Sequence, residues 1–245
     1  MMNNILSAKT LDDPWQHCVI DEVFDNTLWS AVHEAATLMA PHIEDGAYSI
    51  DLIEALDYGV PQSTIDMIVD YSDSLLGIHK EVIGKFSHMS FSKYGYINDI
   101  RWSFAKNCVW AIHDDKANLN KIMTFVIYVS PEQDTGTLLY THVTPESYHS
   151  TINWNPNSGM LFCPEHEVTW HTYKAGDTPR ITLNIYYHSL DPWFDDVDFQ
   201  QNALAKQRIS RIKWVKSMFE QGKLYRSNRE DLFEIFKIFN LSEDD

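Results

Sequence analysis

Two histidines and one aspartate form the group of side chains in this sequence with the clearest chemical potential. His113 and Asp115 stand two positions apart in a β-prone run, and alternate residues of a strand point to the same face. His171 lies in a later run of the same kind. Two imidazoles and one carboxylate on one face of an octahedral ion leave the opposite face open, and this ligand set is typical of mononuclear non-haem iron.

Arg180 strengthens what is otherwise a weak signal, because a short His-x-Asp motif often arises by chance. Arg180 begins the next β-prone run, and Thr182 shares its face. An arginine on the inner face of a barrel is costly unless it meets an anion, and a carboxylate is its natural partner. Two alternatives stay open: Arg180 as a member of a structural ion pair, and His166 in place of His171 as the third ligand.

Six short apolar runs between Trp110 and His188 predict a β-barrel around these side chains. Segments with helical periodicity are expected to cover or extend the barrel: Leu28–Met39, Ser63–Ile83, Phe199–Glu220 and Arg229–Phe239. We therefore predict a mainly β fold with flanking helices. Residues 1–190 would hold the barrel with its N-terminal support helices, and residues 191–245 would form a C-terminal helical extension packed on the same unit.

Three local features are predicted from residue types near the ends of these elements. Asn26 or Thr27 is expected to cap the helix that begins near Leu28. A turn at Asn98-Asp99 is expected to divide the neighbouring β-prone stretch into a hairpin. Residues 1–13 are polar and are expected to be loose.

Composition argues against several classes of function. The chain has 245 residues, of which 44% are hydrophobic, and a net charge of −16. This charge argues against nucleic-acid binding, because nothing offsets repulsion from phosphates over most of the surface. No apolar run reaches the length of a membrane span. The three cysteines lack CxxC spacing and the N-terminus lacks a secretory signal, so we expect a cytoplasmic protein.

Basic residues are concentrated between positions 206 and 229. A solvated helix face is the usual explanation for such a run. The alternative is a docking surface, and the predicted C-terminal helices could then form a homodimer.

The order of His-x-Asp, histidine and Arg-x-Thr resembles that of the 2-oxoglutarate- and Fe(II)-dependent dioxygenases, and it is most similar to the prolyl-4-hydroxylase-like branch. The resemblance covers residues 87–190 and implies a double-stranded β-helix, a jelly roll of cupin-like type. It implies roles for six residues: His113, Asp115 and His171 as catalytic ligands of Fe(II), and Arg180, Thr182 and Tyr128 as binding residues for the co-substrate 2-oxoglutarate. An ordinary core role for Tyr128 stays open.

For function, the resemblance implies an oxygenase, most simply a hydroxylase. Such an enzyme consumes O2 and 2-oxoglutarate, releases succinate and CO2, and hydroxylates a C–H bond. The substrate stays open between a peptidyl residue such as proline and a free small molecule. Alternatives from other classes are a non-catalytic, cupin-like metal-binding or sensor protein and a purely structural jelly roll.

Overall fold

A computed structural model describes residues 2–87, 96–115 and 121–189 of the chain. The α-helices within these residues are α1 (Met2–Ser7), α2 (Asn26–Met39), α3 (Gln62–Gly77) and α4 (His79–Ile83). The strands are β1 (Thr10–Leu11), β2 (His17–Ile20), β3 (Gly46–Asp51), β4 (Tyr96–Lys106), β5 (Cys108–Val109), β6 (Lys121–Ser130), β7 (Thr137–Tyr140), β8 (Tyr148–Ile152), β9 (Gly159–Phe162), β10 (His171–Thr172), β11 (Lys174–Ala175) and β12 (Arg180–Ser189). The predicted C-terminal extension, with its two helices and basic segment, lies outside the described residues.

Seven strands form one antiparallel sheet in the order β1-β2-β9-β6-β12-β4-β3. Strand β12 is paired on both sides, with β6 on one edge and β4 on the other. The ladder with β4 runs without interruption from Arg180 opposite Ala105 to Ser189 opposite Tyr96. Because pairing fixes the register, it also fixes the face on which each side chain of β12 lies.

Strand β12 alternates between a packed face and a cavity face. Ile181, Leu183 and Ile185 are fully buried in the core. Tyr187 shares this face, and its hydroxyl donates a hydrogen bond of 3.1 Å to the backbone oxygen of Ser72 in α3. Helix α2 packs on α3 and contacts β6, so the two long helices cover one side of the large sheet. The opposite side is left for polar residues.

A second layer is built from shorter strands. One antiparallel sheet has the order β10-β7-β8, and a two-stranded sheet pairs β11 with β5. His113, which follows β5, forms an antiparallel bridge with His171 of β10. The pairing of β5 with β11 is thereby continued toward the three-stranded sheet. The result is a mainly β molecule of antiparallel sheets with helical cover, as predicted, and its arrangement is consistent with a jelly roll.

The predicted helix at Leu28–Met39 is confirmed as α2, but its cap was predicted wrongly. Asp25 is the capping residue, and its carboxylate accepts hydrogen bonds of 3.0 Å from the backbone nitrogens of Thr27 and Leu28. The helix therefore begins at Asn26, one residue before a cap at Asn26 would allow and two before a cap at Thr27 would.

Three other local predictions also differ from the structure. The hairpin turn at Asn98-Asp99 is wrong, because β4 passes straight through both residues while it pairs with β12. The loose N-terminus is wrong as well, since α1 forms there and buries Ile5. The helix predicted from Ser63 to Ile83 is present as two helices, α3 and α4, which are separated at Ile78. Among the described residues, no helix has the length and apolarity needed to cross a lipid bilayer.

Replacing Gly136 by alanine should destabilise the second layer. A Cβ at this position would collide with the carbonyl oxygen of Ile152 and would lie 2.9 Å from the backbone nitrogen of Trp154. Overpacking of this kind costs about 1–3 kcal/mol, so the free energy of unfolding measured by urea titration should fall by that amount. Gly176→Ala is the matched control, since a Cβ there meets nothing within 4 Å. Equal unfolding free energies for the two variants would contradict this packing.

Candidate metal centre

A cavity of about 540 Å³ lies between the large sheet and the second layer. Strands β3, β4, β6 and β12 supply one wall, and β7 and β10 contribute to the other. The cavity face of β12 presents Arg180, Thr182, Asn184, Tyr186 and His188 in succession. The polar residues excluded from the core therefore meet the metal-binding candidates in one space.

The structure brings together His113, Asp115 and His171, which we call the triad. One ligand atom from each residue lies within 4.8 Å of the others, and His113 Nε2 is 3.6 Å from Asp115 Oδ1. The two histidines are held opposite each other by paired backbone hydrogen bonds of 3.1 and 2.8 Å. Residues directly opposite in an antiparallel pair project side by side, and the two imidazole centroids are 4.3 Å apart.

Each histidine of the triad is oriented by a backbone carbonyl. His113 Nδ1 lies 2.9 Å from the oxygen of Ala111, and His171 Nδ1 lies 2.8 Å from the oxygen of Thr169. A ring nitrogen that faces a carbonyl carries the proton, so Nε2 keeps the lone pair that a metal needs. Burial, and next to it the nearby His113, lowers the pKa of His171 to about 4, which keeps this imidazole neutral at neutral pH.

The carboxylate of Asp115 is fixed from two sides. Lys121 Nζ donates to Oδ1 at 2.9 Å, and Thr124 Oγ1 donates to Oδ2 at 2.8 Å. Burial alone would raise the pKa of Asp115, but the Lys121 ammonium and the two histidines together lower the pKa well below its ordinary value. The carboxylate is therefore charged, and its orientation is held by two hydrogen bonds, as a metal ligand requires.

Lys121 is a site residue that the sequence reasoning missed. Its side chain is 8% exposed and its ammonium lies 4.1 Å from the centroid of the Tyr186 ring. A lysine is almost never fully buried unless it is paired. Its position at the start of β6, a long and mostly apolar strand, was a signal that it has a partner inside the fold.

Asp114 supports the centre through hydrogen bonds to the segment before His171. It is 7% exposed. Its Oδ2 accepts a hydrogen bond of 2.9 Å from the backbone nitrogen of Glu167, and its backbone oxygen accepts one of 2.8 Å from Thr169 Oγ1. Asp114 thus holds the turn that leads into His171.

His166, the alternative third ligand, faces a different group. Its Nδ1 lies 3.1 Å from Asp114 Oδ2, and its side chain is 70% exposed. His171, in contrast, is 5% exposed and lies in the triad. The geometry favours His171 over His166 as the third member.

Arg180 is a buried cation in an aromatic surrounding. It is 3% exposed, and its guanidinium carbon lies 4.5 Å from the Tyr173 ring, 4.9 Å from the Trp154 ring and 5.8 Å from the Tyr128 ring. Its Nε has no hydrogen-bond partner among the described residues. Burial lowers the pKa of Arg180, but a guanidinium stays protonated in proteins. A buried charge with an open donor is suited to an anionic ligand.

Thr182 and Tyr128 are neighbours across the β6–β12 ladder. Thr182 lines the cavity two residues beyond Arg180. Tyr128 is fully buried, stacks on Trp154 with ring centroids 4.7 Å apart, and bonds through its hydroxyl to Thr137 Oγ1 at 2.7 Å. Thr137 lines the cavity, so the Tyr128 hydroxyl contacts a residue of the cavity wall and not the cavity itself.

Comparison with known proteins found no matching family model and no matching curated protein. Solved structures similar to this chain include the non-haem α-ketoglutarate-dependent epimerase SnoN from nogalamycin biosynthesis, with 13% identity over 71% of this chain and 78% of that one, and a TM-score of 0.48. A viral collagen prolyl hydroxylase from Paramecium bursaria Chlorella virus-1 has 13% identity over 73% of this chain and 99% of that one, with a TM-score of 0.46. A prolyl-4-hydroxylase from Pseudomonas putida has 12% identity over 71% and 92%, with a TM-score of 0.47.

One of these structures is an α-ketoglutarate-dependent non-haem enzyme and two are prolyl hydroxylases, in line with the class that the sequence pattern resembles. Identities of 12–13% and TM-scores below 0.5 give no ground for transferring an activity.

Replacing His171 and His166 separately should distinguish the two candidate ligands. His171→Ala removes a member of the triad, so the affinity for Co(II), followed by its visible absorption, should fall. The loss should exceed about 100-fold, because that is the upper cost of removing a residue that only supports a metal ligand. His166→Ala should leave the affinity nearly unchanged, because that ring is exposed and bonded to Asp114. The opposite ranking would make His166 the third ligand.

Proposed function

We propose that this protein is an Fe(II)- and 2-oxoglutarate-dependent oxygenase with a double-stranded β-helix fold, which hydroxylates a C–H bond of a peptidyl or small-molecule substrate. One observation carries the proposal: the triad and the buried Arg180 open into the same cavity. A metal site and a separate anchor for a carboxylate are what a chelating keto diacid requires.

The triad fits a divalent iron by its donor set. His113 and His171 offer two neutral imidazole nitrogens whose lone pairs are directed by backbone carbonyls, and Asp115 offers one charged oxygen. Two histidines and one carboxylate are typical ligands of non-haem Fe(II) oxygenases. Bound with 2-oxoglutarate and O2, such an iron supplies the oxidation that converts a C–H bond to C–OH, with succinate and CO2 as further products.

Arg180 is proposed to hold the distal carboxylate of 2-oxoglutarate. A guanidinium presents parallel N–H donors that match the two oxygens of a carboxylate, and a buried site strengthens this pairing. Trp154 and Tyr173 flank the guanidinium and restrict the directions from which a carboxylate can approach. Thr182 is placed to add a hydroxyl, and Tyr128 fixes Thr137 in the adjoining wall.

An anaerobic titration tests the proposal. Addition of Fe(II) and 2-oxoglutarate should produce a visible metal-to-ligand charge-transfer band, because the keto acid chelates the iron. The band should be absent in His113→Ala and Asp115→Ala, which lack a ligand. His149→Ala is the matched control, since His149 pairs with Asp13 at 3.0 Å at the surface. Absence of the band in the unmodified protein would remove the proposed function.

Arg180→Leu separates the co-substrate anchor from the metal site. The variant should bind the metal alone with unchanged affinity. Its affinity for 2-oxoglutarate should fall by roughly 100-fold, because one partner of a buried charge pair is removed. Equal 2-oxoglutarate affinities would contradict the role of Arg180. Succinate formation on exposure to O2 then distinguishes an oxygenase from a binding or sensor protein, which would show the band without turnover.

A further inference from the structure

The cavity continues past the triad along β12 and β4. Six inward-facing residues form this region, which we call the polar end: Asn184, Tyr186 and His188 of β12 with Asp99, Arg101 and Ser103 of β4. It is connected to the triad by contacts, because the Lys121 ammonium that bonds Asp115 also lies over the Tyr186 ring. A molecule bound at the polar end is therefore next to the metal-binding candidates.

The charges of the polar end are already compensated within the fold. Arg101 Nε donates to Asp99 Oδ1 at 2.8 Å, and His188 Nε2 lies 3.6 Å from Asp99 Oδ2. Lys121 and Asp115 form the neighbouring ion pair at 2.9 Å. Since positive and negative groups are matched in pairs, a ligand with a net charge is not required here.

Asn184 is the member of the polar end with an unused polar atom. It is 7% exposed, and its Nδ2 donates to Ser103 Oγ at 2.8 Å and to the Tyr186 hydroxyl at 2.9 Å. In this orientation both amide hydrogens are used. Its Oδ1 is buried without a partner among the described residues, and a buried acceptor left unpaired is costly.

We propose that the polar end recognises the substrate through a neutral N–H or O–H donor that bonds Asn184 Oδ1. This inference rests on the proposed function, because it places the substrate beside the triad. An amide-bearing or hydroxyl-bearing substrate satisfies the asparagine, whereas an analogue without the donor leaves the oxygen unpaired. Sites that hydrogen-bond a substrate in this way reject the unmatched analogue far more strongly than apolar pockets reject a missing methylene.

Two small amides test the donor directly. The full-length protein is loaded with Mn(II) and 2-oxoglutarate, and paramagnetic relaxation of ligand protons is measured by NMR. N-methylacetamide carries one N–H donor, whereas N,N-dimethylacetamide carries none. N-methylacetamide should bind roughly fivefold more tightly, the difference expected for one net hydrogen bond.

Variants assign this preference to Asn184. Asn184→Leu should remove it, because the acceptor oxygen is gone. Asn184→Asp keeps an acceptor oxygen of the same reach and should retain the preference, which controls for loss of side-chain volume. Ser49→Ala removes a different hydroxyl from the same cavity and should change nothing. Circular dichroism on each variant verifies that it is folded.

The outcomes separate the two proposals. Failure of Mn(II) or 2-oxoglutarate to bind removes the proposed function and this inference with it. Normal binding of both, combined with equal relaxation of the two amides or with no relaxation of either, overturns the inference alone. A donor preference that persists in Asn184→Leu also overturns it.

Discussion

The backbone bridge between His113 and His171 is the constraint on which the site depends. Two hydrogen bonds, donated by each residue to the other, set opposite each other two histidines that are far apart in sequence. The imidazoles then need no long or flexible side chain to converge, and Asp115 reaches them from the residue after next. The strand pairing of the second layer and the turn held by Asp114 both maintain this bridge. The geometry of the candidate metal site thus depends on this backbone pairing.

Strand β12 connects this centre to the rest of the molecule. Its apolar residues pack under the helices, and the alternation of the strand forces Arg180, Thr182 and Asn184 to the other side. Because β12 is paired along both edges, it cannot shift by one residue without burying Arg180 in the core and exposing its apolar residues to the cavity. The same packing that stabilises the fold therefore fixes the spacing between the candidate anchor and the polar end.

The parts of this arrangement that the sequence predicts are those governed by local periodicity. The period of two placed Arg180 and Thr182 on one face, and helical periodicity found α2. The misses have other causes. The polar pair Asn98-Asp99 favours a turn locally, but pairing with β12 overrides that tendency. The burial of Asp114 follows from its contact with Glu167, 53 residues away in the sequence, which no local pattern encodes. The burial of Lys121 was indicated by the apolar run that it begins, but its partner Asp115 was not.

The ion pair between Lys121 and Asp115 has an electrostatic consequence for loading the centre. The lysine already neutralises the triad's single carboxylate, so a divalent cation bound there would add positive charge beside the Lys121 ammonium. Under the proposed function, a keto diacid would offset part of this charge through the carboxylate that Arg180 does not hold. Each would thus favour the other's binding, and by thermodynamic reciprocity the mutual enhancement is equal in the two directions. On the proposed function, the metal and the keto diacid would each bind more tightly in the presence of the other.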